Sequence, residues 1–321
     1  MTKYKDQERK RQLECYYNSF FKTVKNCGHW NFYDDNGIFI KRVHSRVILR
    51  PEDSLGNLFQ PISWLTLDYF KRHNIAWWRE DEDRYFPTGH LLSSQIHCLN
   101  HLFALRKDKN AVLSIVNHAT GMVFDEVLPS SLDNDGGYIA FEFAYNEILD
   151  ENDKGARRGT FCTSIDAMIE ARKGVEKWWI PIEWKYTETY EKEDKTCPKR
   201  LERYEDKIKQ SSQLIMPKNG EVAHSIYFQE PCYELMRQTL LVEQLIQMTQ
   251  KSDTDNFFHL NVIPNGNTEL RSAVEKCFIP NLKDKSKFRI IDPEDFLSPL
   301  KGNTNYKELL DYLETRYWQS L

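Results

Sequence analysis

Three apolar, β-prone stretches follow one another in the middle of this chain, at residues 138–145, 160–169 and 178–187, divided by turns that carry glycine and charge. Such stretches must pair to satisfy their backbones, so they predict a sheet, and their flanks predict the helices that cover it. Upstream, residues 91–105 set Ile96, Leu99, Leu102 and Phe103 at helical spacing behind a capping serine, Ser93 or Ser94. Downstream, residues 233–250 predict a long helix and 257–264 a further strand. The order is helix, three strands, helix, strand: an α/β protein with a mixed central sheet flanked by helices.

The chain has 321 residues, of which 40% are hydrophobic and 13% aromatic, enough to fill one large core or two modest ones. No repeat or low-complexity segment divides it. Residues 1–85 read as an N-terminal helical, aromatic-rich addition packed on a core spanning 86–300, with a C-terminal helix over 301–321. In the first helix, residues 1–23, Leu13, Tyr16, Tyr17, Phe20 and Phe21 share the face expected to dock. The aromatic run 64–78 is read as core packing.

No apolar run approaches the roughly 20 residues of a membrane span, and the start lacks the apolar stretch of a secretory signal, so a cytoplasmic protein is expected, with no membrane partner. Seven scattered cysteines without a Cys-x-x-Cys pair suggest reduced thiols rather than disulfides or a zinc knuckle. A net charge of −4 excludes a surface that is basic throughout, but not a local basic groove.

Glu-x-Lys carries little meaning in a chain with 29% charged residues; it also occurs at Glu8-Arg-Lys10, Glu193-Asp-Lys195 and Glu205-Asp-Lys207, all in polar, solvated surroundings. Glu183-Trp-Lys185 is different, because it interrupts the apolar run Trp178-Trp-Ile-Pro-Ile-Glu-Trp-Lys-Tyr. In a strand, residues i and i+2 project from one face, so both charges point together. Buried there, they must pair with each other as a structural ion pair or bind something. Asp166, near the end of the preceding strand-like segment, would stand beside Glu183 in an antiparallel pair. Facing carboxylates repel unless a cation neutralises them, and hard oxygen donors suit Mg²⁺, with Mn²⁺ as a substitute. A Mg²⁺ so held suits phosphate substrates, with Lys185 placed to orient water, take a proton or neutralise developing charge.

Asp166 followed by Glu183-Trp-Lys185 resembles the bipartite signature of the PD-(D/E)XK nucleases, whose core has the helix, three strands, helix, strand order. The segments Arg158-Gly-Thr-Phe-Cys-Thr-Ser-Ile-Asp166, Ile182-Glu-Trp-Lys-Tyr-Thr-Glu188, Ser93-Ser-Gln-Ile-His-Cys-Leu-Asn100 and Phe257-Phe-His-Leu-Asn-Val-Ile-Pro264 together resemble bacterial restriction-endonuclease-like proteins. The resemblance covers most of residues 60–300, and it departs from the motif where Ile165 replaces proline. It implies that Asp166 and Glu183 ligate metal and that Lys185 is catalytic. It further implies a Mg²⁺-dependent endonuclease acting on double-stranded DNA in a restriction or phage-defence setting, and leaves room for a homodimer.

Many members of that superfamily use one more acidic or amide ligand, for which Glu142 in Phe-Glu-Phe and Gln95 are the candidates. Glu142 can equally be a solvated edge carboxylate, and Gln95 a structural hydrogen-bonding residue. Arg158, Ser164 and Lys173 are candidate substrate contacts, and the charged stretch 188–209 is either a phosphate-contacting flap or a plain solvated segment. His97 and His101 have metal-like i, i+4 spacing but no third ligand. Phosphate-binding glycine loops and a Gly-x-Ser-x-Gly elbow are absent. Two rivals remain: a catalytically inactive nuclease-like protein that binds nucleic acid, and a protein in which Glu183 and Lys185 merely pair.

Overall fold

The computed structural model describes residues 3–18, 20–21, 27–33, 38–77, 86–144, 163–190, 193–248 and 256–319. Two compact units form, Met1–Ala104 with Leu300–Leu321, and Leu105–Pro299. Among the described residues no helix is long and apolar enough to cross a membrane, and no disulfide joins the described cysteines.

The first unit contains α1 (Lys3–Tyr17), the antiparallel ribbon of β1 (Cys27–Tyr33) and β2 (Phe39–Leu49), α2 (Ser63–Arg72), α3 (Ser94–Leu102) and a helix at Lys307–Leu313. The N-terminal addition is therefore not helical alone. The face of α1 turned inward is Glu8, Gln12 and Cys15, whereas Tyr17 is exposed. Arg316 accounts for this departure from the apolar pattern. Its guanidinium is wholly buried and donates to Gln12 Oε1 (3.2 Å), Asn57 O (2.6 Å) and Tyr312 Oη (2.7 Å), beneath the rings of Phe21 and Tyr317. A buried cation requires acceptors, and Gln12 supplies one. Helix α3 begins at its Ser93 cap, and His97 and His101 are buried, with Trp318 Nε1 donating to His101 Nε2 (3.2 Å). These histidines are part of the packing.

The second unit is built on a mixed sheet. After α4 (Lys109–Thr120) come β3 (Glu126–Leu128), β4 (Ile139–Ala144), β5 (Ser164–Lys173) and β6 (Glu176–Trp184). Helices α5 (Pro198–Gln210) and α6 (Cys232–Gln247) lead to β7 (Asn256–Phe257) and β8 (His259–Val262), followed by α7 (Thr268–Cys277) and β9 (Phe288–Ile291). Strands β3 and β4 both pair with β5, and β5 with β6, all antiparallel; β6 with β7 and β8, and β8 with β9, run parallel. Met168 and Trp179 on the sheet join Tyr204 and Ile208 of α5, Leu235, Met236 and Leu240 of α6, and Val274 of α7 in one core. Helix α4 packs against β3 and β9. The fold is the expected α/β one, a central mixed sheet flanked by helices.

Two local features set the register. Strands β5 and β6 are joined by the two-residue loop Gly174-Val175, with Gly174 at φ +61°, a geometry that matches strand twist and that glycine adopts without penalty. The strand expected over 257–264 is split at Phe258, beside Pro181 in the centre of β6. Pro181 has no N–H, so the parallel ladder is broken there and resumes at Ile182 and Leu260. The charged stretch after Glu188 contains α5, an amphipathic helix that buries Tyr204 and Ile208.

Leu260 lies fully buried between two parallel neighbours, so Leu260→Ala should destabilise the protein by about 2–5 kcal/mol. The urea midpoint should fall with the slope unchanged; a loss below about 1 kcal/mol would contradict this placement.

Candidate active site

The register brings three carboxylates into one row. Phe141 pairs with Ala167 and Phe143 with Ile165, which leaves Glu142 beside Asp166. On the other side the last rung is Ala167 with Ile182, so Asp166 and Glu183 occupy the next opposed positions. Glu183 in turn pairs with Asn261 on β8. Directly opposed residues share a face, so Glu142, Asp166, Glu183 and Asn261 cross the sheet in order.

Here the ladder opens. Trp184 N–H donates to Asp166 Oδ2 (2.7 Å), so a side chain takes the place of the β5 backbone as acceptor. Glu142 sits at φ +49°, a left-handed conformation that costs a non-glycine residue about 1–3 kcal/mol and that turns its carboxylate toward this row. Ser164 Oγ donates to Glu142 Oε2 (3.2 Å).

Lys185 follows the end of β6, with its N–H bonded to Val262 O (2.9 Å). Its ammonium bridges Glu183 Oε1 and Glu234 Oε2, the latter at 2.5 Å, and lies 5.8 Å from the centre of the Tyr190 ring. Tyr190 Oη donates to Glu234 Oε2 (3.2 Å). Gln238, one turn after Glu234 on α6, donates through Nε2 to Glu183 Oε2 and to Ser164 O (2.9 Å). Glu183 is 2% exposed, Glu142 3% and Lys185 8%, so these charges interact with one another far more than with water.

The electrostatics follow. Burial, reinforced by Glu142 and opposed by Lys185, raises the Asp166 carboxyl from 3.8 to about 8. Burial, with Asp166 and Glu234 beside it, also pushes Glu183 well above the usual carboxylate range. Burial works against the Lys185 ammonium, but Glu183 and Glu234 outweigh it and hold its pKa well above the ordinary value. For Glu234 burial is outweighed by Lys185, and its carboxyl is held below the usual range.

The donor set suits a hard divalent cation. Asp166 and Glu183 face each other, and two buried amide oxygens next to Glu183, Gln238 Oε1 and Asn261 Oδ1, have no hydrogen-bond partner among the described residues. Mg²⁺ is commonly held by one or two carboxylates with waters completing its shell. No three His, Cys, Asp or Glu side chains among the described residues are gathered to hold one ion. Glu183 already has one oxygen on Lys185 and the other on Gln238.

Of the residues singled out from sequence, Asp166, Glu183, Lys185, Glu142 and Ser164 converge. Gln95 belongs to the first unit, where its Nε2 donates to Ala76 O (3.3 Å). Lys173 lies at the hairpin end of β5, roughly 24 Å along the strand from Asp166 at ~3.4 Å per residue. Arg158 lies outside the described residues. Glu188 accepts from Tyr186 N–H (2.6 Å). Sequence reading missed Glu234, Gln238, Tyr190 and Asn261. Glu234 and Gln238 left one signal, polar residues at i, i+4 on a helix with a long apolar face.

The family described as restriction endonuclease associating with ARP matches residues 12–318. The chain belongs to this family. Membership puts it in a nuclease or defence-related role, in keeping with the mixed sheet and its flanking helices. No curated protein and no solved structure matches it.

The raised Asp166 carboxyl has a measurable consequence. The folded protein retains this proton up to about pH 8, while the unfolded chain loses it near 3.8, so its contribution to stability is complete below pH ~4 and lost as pH rises toward 8. In EDTA, Asp166→Asn should therefore gain stability over the wild type at pH 8 relative to pH 4, read from urea midpoints. Equal differences at the two pH values would contradict the raised carboxyl.

Proposed function

We propose that the protein is a PD-(D/E)XK nuclease, a Mg²⁺-dependent endonuclease that hydrolyses phosphodiester bonds of double-stranded DNA in restriction or phage defence. The observation that carries this reading is the row of Glu142, Asp166 and Glu183 across three adjacent strands with the Lys185 ammonium at its edge. Asp166 and Glu183 would hold the cation; Glu142, beside Asp166, is the candidate further carboxylate and would have to move in, since the three are not gathered around one ion as they stand. Bound there, Mg²⁺ or Mn²⁺ supplies Lewis-acid polarisation of a phosphoryl oxygen and activation of water.

The chain's own groups divide the remaining work. Lys185, kept ionised by two carboxylates, is a positive charge and hydrogen-bond donor for charge that develops on the phosphoryl oxygens. Gln238 orients Glu183, and Tyr190 orients Glu234. A cationic cluster favours a phosphate backbone as substrate: Lys195, Arg200 and Arg237 lie 6.0, 5.3 and 5.4 Å from the centre of the Tyr233 ring. Tyr233 and Arg237 form the helical row next to Glu234 and Gln238 on α6, so this cluster adjoins Lys185. Lys195 also meets Glu193 and Glu230, which moderates its charge.

The reading is tested by nicking of supercoiled plasmid with Mg²⁺ and again with EDTA. Wild type should nick only with the cation, and Asp166→Ala and Lys185→Ala should each lose at least about 100-fold. Binding without nicking would favour the inactive nucleic-acid-binding alternative; undiminished nicking by Asp166→Ala would refute the proposed site. Separately, Arg237→Ala should weaken duplex binding in EDTA across unrelated sequences, with the salt slope reduced by about one, as measured by fluorescence anisotropy.

A further inference from the structure

Resting on the nuclease reading, we propose that Glu234 is a positioning residue that retains Lys185 in the site when Glu183 gives its oxygens to a cation. Both Glu183 oxygens are engaged, Oε1 by Lys185 and Oε2 by Gln238. With Oε2 held by Gln238, a cation shared by Asp166 and Glu183 competes with the ammonium for Oε1. Lys185 is anchored at its backbone to Val262 and is largely buried, so a displaced ammonium needs another anion within reach. Glu234 Oε2 already lies 2.5 Å from it.

The construction of α6 fits this division. Glu234 and Gln238 are one turn apart, so a single helix holds both members of the pair, Gln238 on the carboxylate and Glu234 on the ammonium. Tyr190 Oη donates to the same Glu234 oxygen (3.2 Å) and helps hold it in place. The Glu234 side chain is 35% exposed against 2% for Glu183, so solvent also favours Glu234 as the ionised partner. Without Glu234 the ammonium has Glu183 alone and competes with the cation for it. Loss of Glu234 then weakens cation binding although Glu234 is not a ligand, and the loss disappears once Lys185 is gone.

This is a double-variant cycle, read by titrating Mn²⁺ into the DNA-free full-length protein in a calorimeter, with thermal melts to verify folding. Glu234→Gln should bind Mn²⁺ about tenfold more weakly than wild type, within the usual range for coupled neighbours. Glu234→Asp should recover part of the loss, Lys185→Met should bind at least as tightly as wild type, and the double variant should match Lys185→Met. Should the double variant stay as weak as Glu234→Gln, Glu234 is itself a ligand and the proposal falls; it falls equally if folded Glu234→Gln binds like wild type. Those failures leave the nuclease reading standing when Asp166→Ala abolishes Mn²⁺ binding. Wild type that binds no Mn²⁺, or Asp166→Ala that binds it undiminished, overturns both.

Discussion

The pairing of β5 with β6 decides where Asp166 stands relative to Glu183 and Lys185. Because side chains alternate along a strand, a slip of one residue would send Asp166 to the face opposite Glu183 and place apolar residues in its stead. The register is pinned at the far end by the Gly174-Val175 loop, where Lys173 meets Glu176, and it is maintained by the buried rungs from Ala171 with Trp178 to Ala167 with Ile182. A tight turn at one end thus aligns carboxylates at the other. At the site itself the ladder relaxes, and Asp166 accepts the Trp184 N–H that would otherwise lack a partner.

Such a row works against folding. Glu142, Asp166 and Glu183 are drawn together in surroundings that disfavour their charges, and Glu142 adopts a backbone conformation unusual for its type. Strain and like charge gathered at one place are characteristic of sites whose purpose is binding or chemistry, since packing alone would select apolar residues there. The compensation comes from α6, which contributes Gln238 to Glu183 and Glu234 to Lys185 while its apolar side fills the core with Leu235, Met236 and Leu240. One helix therefore covers the sheet and balances the charges on it.

The first unit solves a different problem by similar means. Arg316, buried near the chain's end, is satisfied by Gln12 near its beginning and by Asn57, with aromatic rings around it. A helix selected for hydrogen bonding to a buried cation does not display a full apolar stripe: Glu8, Gln12 and Cys15 are the buried residues of α1 and Tyr17 is exposed, while Tyr16 of the expected face, with Phe20 and Phe21 just beyond the helix, packs with Cys15. The β1–β2 ribbon escaped notice because β2 is exposed over most of its length and mixes charge with β-branched residues.

Local pattern alone determined the strands bearing Asp166 and Glu183, a serine cap on α3 at Ser93 or Ser94, the long helix α6, and the shared face of Glu183 and Lys185, since each depends on residues near in sequence. The same pattern raised Glu142 and Ser164 as candidates, but also Lys173, which stands at the opposite end of the strand from Asp166. Only the tertiary structure decided that Glu234, Gln238, Tyr190 and Asn261 join the group, because they arrive from α6, β8 and the segment after β6. It also decided that Pro181 splits the neighbouring strand, an effect of one missing N–H on a segment far along the chain. Periodicity reports which way a side chain points within its own element; which charges meet depends on how elements pack across long sequence separations, and no local spacing encodes that.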